Sequence, residues 1–230
     1  MASRASMVPD FMKHTFYARF GKRRLDVLGA IIGLVLLAPI FVIIAALVKA
    51  TSRGPVFFRQ TRAGQFDKPF RIFKFRSMTG SESGPGAQLT KAGDPRITPL
   101  GRFLRTWKLD ELPQLINVFL GQMSLVGPRP EVPEYVATYS GEQRLVLLDK
   151  PGITGLAAMN NVREEELLAA QEDKHHFYRV VLLPAKLKLD LQYCDDVRLG
   201  EDLRILFGTF FKISHRLTET KSAFIHSPEK

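Results

Sequence analysis

Apolar residues run almost without interruption from Val27 to Val48, and polar residues crowd both ends of that run. Its length matches the roughly 20 apolar residues that let a helix cross a bilayer. Ala38-Pro39 falls near its middle. Pro39 has no N–H and its ring crowds the carbonyl of Val35, which predicts a kink or break there. Gly29 and Gly33 thin the first half, which would let another backbone approach. Further on, Pro55–Gln60 and Phe70–Phe75 are rich in Phe and Ile and flank a turn-prone Ala63-Gly64-Gln65, the pattern of a β-hairpin. Most of the phenylalanines there (Phe57, Phe58, Phe66, Phe70, Phe73 and Phe75) are expected in a core beside the apolar helix. Residues 79–93 carry Gly, Ser and Pro without periodicity and read as a loop.

Helical patterns come next. One covers about Leu100–Trp107. A second runs from Glu111 to about Leu120, with Asp110 as its N-cap, Pro113 in its first turn and Gly121 as its stop. Gly127-Pro128-Arg129-Pro130 is a rigid turn, Glu131–Leu148 reads as helix, and Pro151-Gly152 ends it. Helices are also predicted over Glu164–Gln171, Lys186–Tyr193 and about Asp202–Lys212. In the last, Leu203, Leu206, Phe207 and Phe210 share a face that is expected to join the core, with a membrane surface as the alternative. Residues after Arg216 read as a frayed polar tail.

Charge changes the picture at the apolar run. Arg19, Lys22, Arg23 and Arg24 precede it, and Lys49, Arg53, Arg59 and Arg62 come after it. Basic flanks stay on the cytoplasmic side. A helix that dips in and returns satisfies both flanks; a straight crossing carries one of them through. The residues alone leave these two readings level. Asp26 sits just inside the run, where a carboxylate needs a partner or the headgroup zone. The run exceeds the roughly 7–15 residues of a signal-peptide core, and no small-x-small cleavage site comes after it, so it is expected to remain as an anchor.

The chain has 230 residues and a net charge of +10. The roughly 180 residues after the anchor suit one compact domain. The positive field favours anionic partners: nucleic acid, acidic lipid or phosphorylated substrates. The single cysteine, Cys194, excludes an internal disulfide. His175 and His176 are adjacent and read as solvated surface, and no Cys/His cluster has zinc spacing. Neither Gly-x-Gly-x-x-Gly nor a Walker A motif is present.

The chemistry-bearing candidate is Asp110-Glu111, within reach in sequence of Arg96, Arg102, Arg105, Lys108 and Arg129. A positioned carboxylate can act as a nucleophile toward phosphorus, and a neighbouring Glu as a general base. Arginines can grip a diphosphate in fork geometry. A carboxylate with phosphate oxygens makes a magnesium site. The same pair also fits an ordinary helix start, and scattered arginines are usually solvated.

Ordered motifs decide between these. Lys22-Arg23-Arg24 with Asp26, Lys74-Phe75-Arg76-Ser77-Met78, Asp94-Pro95-Arg96-Ile97-Thr98-Pro99-Leu100-Gly101, Lys108 to Val118, Met123 to Pro130 and Pro151-Gly152-Ile153-Thr154-Gly155 occur in this order. Over about Lys22–Lys212 the chain resembles the bacterial sugar transferases, the monotopic phosphoglycosyl transferases. The resemblance implies an α+β, mostly helical chain. It would comprise a leader (1–20), a re-entrant membrane helix (21–50) bent at Ala38-Pro39, a catalytic domain (51–215) with a small β-hairpin, and a tail (216–230). It implies transfer of a phosphosugar from a UDP-sugar to undecaprenyl phosphate with release of UMP. This is the first membrane step of glycan assembly, at the cytoplasmic face of the bacterial inner membrane.

Asp110 would attack the β-phosphate and carry the sugar phosphate covalently, with magnesium, or manganese in its place, on the same carboxylate. Glu111 would deprotonate or orient the lipid phosphate. Lys74, Arg105 and Arg129 correspond to positive positions around the site, and Arg96 joins them as a phosphate-binding candidate. Asp202 corresponds to a late acidic position. Lys22, Arg23 and Arg24 would hold the anchor at the interface. Membrane lipid is an implied partner, nucleic acid is not, and a homodimer is compatible with the chain. The alternative reading is a membrane-tethered basic protein that binds nucleic acid or acidic lipid without catalysis. Two departures from the family pattern stand out: Ala38-Pro39 replaces the usual Ser-Pro, and Leu156–Arg163 replaces a Trp-Ala-Gln stretch and the Gly-Arg after it.

Overall fold

The structure is a computed structural model, and it describes residues 15–79, 93–160 and 164–225. Most of the expected leader and loop, the segment 161–163 and the last five residues lie outside the described residues.

Helix α1 spans Lys22–Thr51 and is preceded by a π-helical turn, Tyr17–Gly21. It runs helically through Pro39. At 1.5 Å per residue it is about 45 Å long. Its middle faces outward: Val35 and Leu36 are 67% and 71% exposed. Its two ends do not. Near the start, Ala30 packs with Leu115, Val118 and Met123. A Cβ on Gly29 would lie 2.7 Å from the Leu125 side chain, and one on Gly33 would lie 3.0 Å from the Leu115 side chain, so the two glycines admit leucine side chains rather than the backbone that was expected. Near the end, Ile44 and Val48 pack with Phe75 and Leu104. Asp26 is buried, and its carboxylate accepts the Leu125 N–H at 2.9 Å.

The hairpin forms as anticipated. Strands β1 (Phe57–Ala63) and β2 (Pro69–Phe75) pair antiparallel, with Phe57 opposite Phe75 and Ala63 opposite Pro69. Phe70 and Phe75 are buried, whereas Phe66, in the left-handed region at φ 58°, is exposed. Helix α2 covers Pro99–Thr106, capped by the Thr98 hydroxyl accepting the Gly101 N–H at 2.8 Å.

The second predicted helix starts later than its pattern implied. Leu109–Glu111 is a 3-10 turn, and α3 covers only Gln114–Phe119. Asp110 is not its N-cap. The two N–H groups that a cap at Asp110 would bind belong to residues 112 and 113. Pro113 has none, and Leu112 donates to the Leu109 carbonyl. Gly121 stops the helix at φ 82°, as expected.

A second pair of strands, parallel, was not anticipated: β3 (Ser124–Val126) against β4 (Gly152–Thr154). Between them the predicted Glu131–Leu148 helix is absent. Pro133–Val136 forms one turn, α4, and Gln143–Leu148 a 3-10 stretch. Pro133 holds Val132 in extended backbone, so helix begins only at Pro133, and Ser140-Gly141 breaks the chain again before the 3-10 stretch. Helices α5 (Leu156–Asn160), α6 (Glu164–Ala169) and α7 (Lys174–Phe177) come after β4. A π-helical turn, Tyr178–Leu182, then leads into α8 (Leu183–Asp195).

The last helix, α9, covers Leu199–Ile225, so helix extends into the expected tail. Its core face also differs from the expected one. Asp202 and Ile205 are buried, and of the expected stripe Leu206 packs against the core beside Ile205, while Leu203, Phe207 and Phe210 are exposed. His175 is not free surface either: its Nδ1 lies 3.0 Å from the Tyr135 hydroxyl.

Candidate active site

The Asp110-Glu111 pair is set by a backbone device. Helix α2 ends at Trp107, and Lys108 takes a left-handed conformation at φ 56°, sparsely populated for a residue with a side chain. That reversal sends the next turn back against β2. Asp110 is 5% exposed. Glu111 meets Lys74 of β2, Nζ to Oε1, at 2.7 Å.

The two adjacent carboxyls are pushed apart in acidity. Burial raises the Asp110 carboxyl above its usual range, and the Glu111 charge adds to this; Lys74, Lys108 and Arg105 offset only part of it. Burial also acts upward on Glu111, but Lys74, Lys108 and Arg129 outweigh it and hold that carboxyl well below the ordinary range. Asp110 is therefore the more basic of the pair. Its Oδ1 atom is buried and accepts no hydrogen bond from any of the described residues. An orphaned carboxylate oxygen calls for an exogenous partner.

A divalent cation fits that atom. Among the described residues no group of three or more His, Cys, Asp or Glu could hold a metal. A cation held at Asp110 would take its remaining ligands from phosphate oxygens and water, the arrangement magnesium favours.

Arg129 is brought to the pair by β3 and β4. A Cβ on Gly152 would lie 2.1 Å from the Gly127 nitrogen, and one on Gly155 would lie 2.1 Å from the Gly127 carbonyl oxygen. Only glycines allow the two motifs to interlock this closely. Burial would lower the Arg129 pKa, but the charges of Glu111, Glu164 and Glu131 raise it above its ordinary value, so it stays fully charged.

The other predicted residues have different partners. Arg105 adds to the field on Asp110, and its guanidinium donates to the Met78 sulfur at 3.8 Å. Arg96 grips Asp94 instead, at 3.0 Å from Nε and 2.7 Å from Nη2, and its guanidinium holds the Asp94 carboxyl at about 2. Asp202 lies at the foot of the anchor. It accepts from Lys22 at 2.5 Å, the Tyr17 hydroxyl at 2.7 Å and the Tyr193 hydroxyl at 2.6 Å, so its contacts are those of a structural clasp. Arg23 donates to the carbonyls of Val118 and Phe119 at the end of α3.

Behind Arg129 lies a buried charged group that sequence reasoning missed: Arg62, Glu131, Tyr178, Lys186 and Asp190. The Glu131 carboxylate accepts from the Tyr178 hydroxyl at 2.6 Å and from Lys186 at 3.2 Å. Asp190 accepts the Arg129 backbone N–H at 3.2 Å. The available signal was the i,i+4 spacing of Lys186 and Asp190 on one helix.

The buried Asp110 and the partly buried Glu111, of split acidity, sit among fixed cations in a chain that begins with a long apolar helix. Comparison with known proteins is specific. The profile of the family described as bacterial sugar transferase matches residues 17–216, and the chain belongs to that family. It is 40% identical over 194 residues to the UDP-glucose:undecaprenyl-phosphate glucose-1-phosphate transferase of Klebsiella pneumoniae, covering 83% of this chain and 39% of that protein. It is 38% identical over 199 residues to the protein of the same name from Caulobacter vibrioides, covering 82% and 67%. It is 38% identical over 203 residues to the exopolysaccharide production protein PSS of Rhizobium leguminosarum bv. phaseoli, covering 82% and 92%. The chain thus spans about two fifths of the length of the Klebsiella relative.

Proposed function

We propose that the chain transfers a phosphosugar from a UDP-sugar to undecaprenyl phosphate and releases UMP, in the first membrane step of glycan assembly. Relatives named for UDP-glucose and for UDP-N-acetylgalactosamine support a UDP-sugar donor, and both names contain undecaprenyl phosphate. The carrying observation is the buried Oδ1 of Asp110, which finds no donor among the described residues. A carboxylate oxygen of Asp110 attacks the β-phosphorus, and the bond from that phosphorus to the oxygen bridging it to the α-phosphate breaks. UMP leaves, and the sugar phosphate stays on the side chain. An oxygen of undecaprenyl phosphate then attacks the same phosphorus, and Asp110 departs as a carboxylate.

Lys74, Arg105 and Arg129 spread their charge over the phosphoryl oxygens. Magnesium, or manganese, on Asp110 and the diphosphate would supply further charge neutralisation. The strongly acidic Glu111 is a poor proton acceptor, so its role is to orient the lipid phosphate through the Lys74 pair rather than to deprotonate it.

The membrane reading rests on the anchor. Both ends of α1 pack on the same catalytic domain, and its middle presents bare apolar side chains. That arrangement supports a helix that dips into one leaflet with both basic flanks on the cytoplasmic side of the inner membrane.

The test is mass spectrometry of the full chain trapped with donor alone. A phosphosugar mass on the peptide containing Asp110, lost in Asp110→Asn together with UMP release, is the expected result. Turnover in Asp110→Asn at the wild-type rate overturns the assignment. A screen of UDP-sugars with a short polyprenyl phosphate identifies the sugar.

A further inference from the structure

We infer that helix α8 is a clamp that presents Arg129 to the phosphate site: Asp190 holds the Arg129 backbone, and Lys186, one turn earlier, holds Glu131 two residues further on. The inference rests on the phosphotransfer reading of Asp110 and adds positioning residues to it. The stretch Arg129–Glu131 is pinned at every residue. The Arg129 N–H donates to Asp190 Oδ2 at 3.2 Å. The Pro130 carbonyl accepts from Arg62 Nη1 at 3.2 Å. The Glu131 carbonyl accepts the Ala63 N–H at 2.9 Å. The Glu131 carboxylate takes both the Tyr178 hydroxyl and Lys186, and Lys186 also donates to the Tyr178 hydroxyl at 2.8 Å. Pro128 and Pro130 fix the neighbouring φ angles.

The burial of this group argues for function. Lys186, Asp190 and Glu131 are 2%, 3% and 6% exposed. Buried ion pairs are commonly no more stabilising than apolar side chains of the same volume. A packed apolar group would hold the domain together equally well, whereas it could not fix the one backbone N–H and the one carboxylate that flank Arg129. Tyr178 belongs to the π-helical turn before α8, an irregularity that recurs at functional sites. With its backbone locked, the Arg129 guanidinium meets the phosphate without reorganising, the condition under which a fixed charge is most effective.

The clamp acts only through Arg129, so its energetic signature is non-additivity. The experiment compares the full-length wild type, Arg129→Ala, Asp190→Ala and the double variant in lipid nanodiscs. It measures UMP release from the UDP-sugar found in the screen and, alongside, the thermal midpoint. Arg129→Ala is expected to lower kcat/KM about 100-fold, and Asp190→Ala roughly 10-fold, mainly through KM. The double variant should lose no more than about threefold beyond Arg129→Ala alone. Asp190→Asn, which keeps an oxygen to accept the N–H, should restore most of the KM. Should Asp190→Ala fail to fold, Tyr178→Phe removes only the hydroxyl on Glu131 and keeps the volume. Its rise in KM should vanish in the Arg129→Ala background. Losses that multiply instead, in either pair, overturn the clamp while leaving the Asp110 chemistry standing. A wild type without turnover of any UDP-sugar overturns both.

Discussion

Replacing Lys74 with Met should uncover how much the ion pair behind the Asp110-Glu111 turn contributes. The Nζ–Oε1 separation is 2.7 Å, and the two side chains are 18% and 13% exposed. At an effective dielectric of about 20, unit charges at that distance attract by roughly 6 kcal/mol. Most of that is offset by the cost of taking Lys74 out of water, which already depresses its pKa. Removing one partner of a buried pair typically costs about 3–5 kcal/mol, because the other charge is stranded. The residual exposure places this pair near the lower figure, about 3 kcal/mol. For a chain of this size that lowers the thermal midpoint by roughly 6–12 °C.

The loss must depend on pH. Without Lys74 the folded variant holds a proton on the carboxyl pair that its unfolded state releases. Its stability therefore falls as pH rises above the ordinary carboxyl range of about 4–5, and the deficit is larger at pH 8 than at pH 5.5. Circular-dichroism melts at both pH values in one detergent measure it. Adding Glu111→Gln to Lys74→Met should recover at least half of the deficit at pH 8. A single variant within about 2 °C of wild type at pH 8, or a double variant no more stable than the single, refutes the stranded-charge argument.

Burial gives two further expectations. It pushes the Asp190 carboxyl up to about 7, with contacts from the Arg129 and Ala157 backbones and from Lys186 only partly offsetting it. A folded-state pKa above the unfolded value of about 4 means that the fold keeps a proton the unfolded chain loses. This group's contribution to stability therefore declines across pH 4–7, by a total on the order of 4 kcal/mol, and is flat above. Asp190→Asn should flatten the measured slope of stability against pH in that window, and an unchanged slope counts against the assignment. Separately, single cysteines replacing Arg19 and Arg53, both exposed at opposite ends of the anchor region, should react with an impermeant maleimide only from the cytoplasmic side. Labelling from opposite sides means that α1 crosses the bilayer.

How much could be read from the residues depended on the range of the interactions. The anchor and hairpin announce themselves locally, through an unbroken apolar run and a Phe-rich pair of segments around a glycine. The Asp110-Glu111 pair and its cations were visible by proximity in sequence, with Lys74 added by family resemblance. Its geometry was not, because the reversal at Lys108 puts a residue with a side chain into a conformation that usually marks a glycine. The expected Glu131–Leu148 helix fails for local reasons: Pro133 holds Val132 extended, and Ser140-Gly141 interrupts the chain between α4 and the 3-10 stretch. The clamp on Arg129 had no such cue. Lys186 and Asp190 reach their partners across 55 and 61 residues, and charges on a helix ordinarily face water. The face of α9 departs from the core expectation because the helix turns Asp202 and Ile205 inward and leaves Phe207 and Phe210 exposed, which apolar periodicity alone does not reveal.

The anchor and the site share their fastenings, and this bears on how the chemistry meets a lipid substrate. At one end of α1, Asp26 accepts the N–H of Leu125 in β3, the strand that leads into Gly127-Pro128-Arg129. At the other, Arg76 comes directly after β2 and lies two residues beyond Lys74. Its guanidinium donates to the carbonyls of Val48 and Ser52, at 3.3 and 2.7 Å. A cation on the last carbonyls of a helix is favourable both as hydrogen-bond donor and as countercharge to the dipole. The strands that supply Lys74 and Arg129 are therefore each tied to one end of the apolar helix. Under the proposed membrane reading, the depth of α1 in the lipid would set the height of Lys74 and Arg129 above it. A polyprenyl phosphate held in the bilayer by its chain presents its headgroup at one fixed level. A site suspended from both ends of a helix that dips into one leaflet, as proposed, would be held at that level, whereas a flexible tether to a single crossing helix would leave the height undetermined.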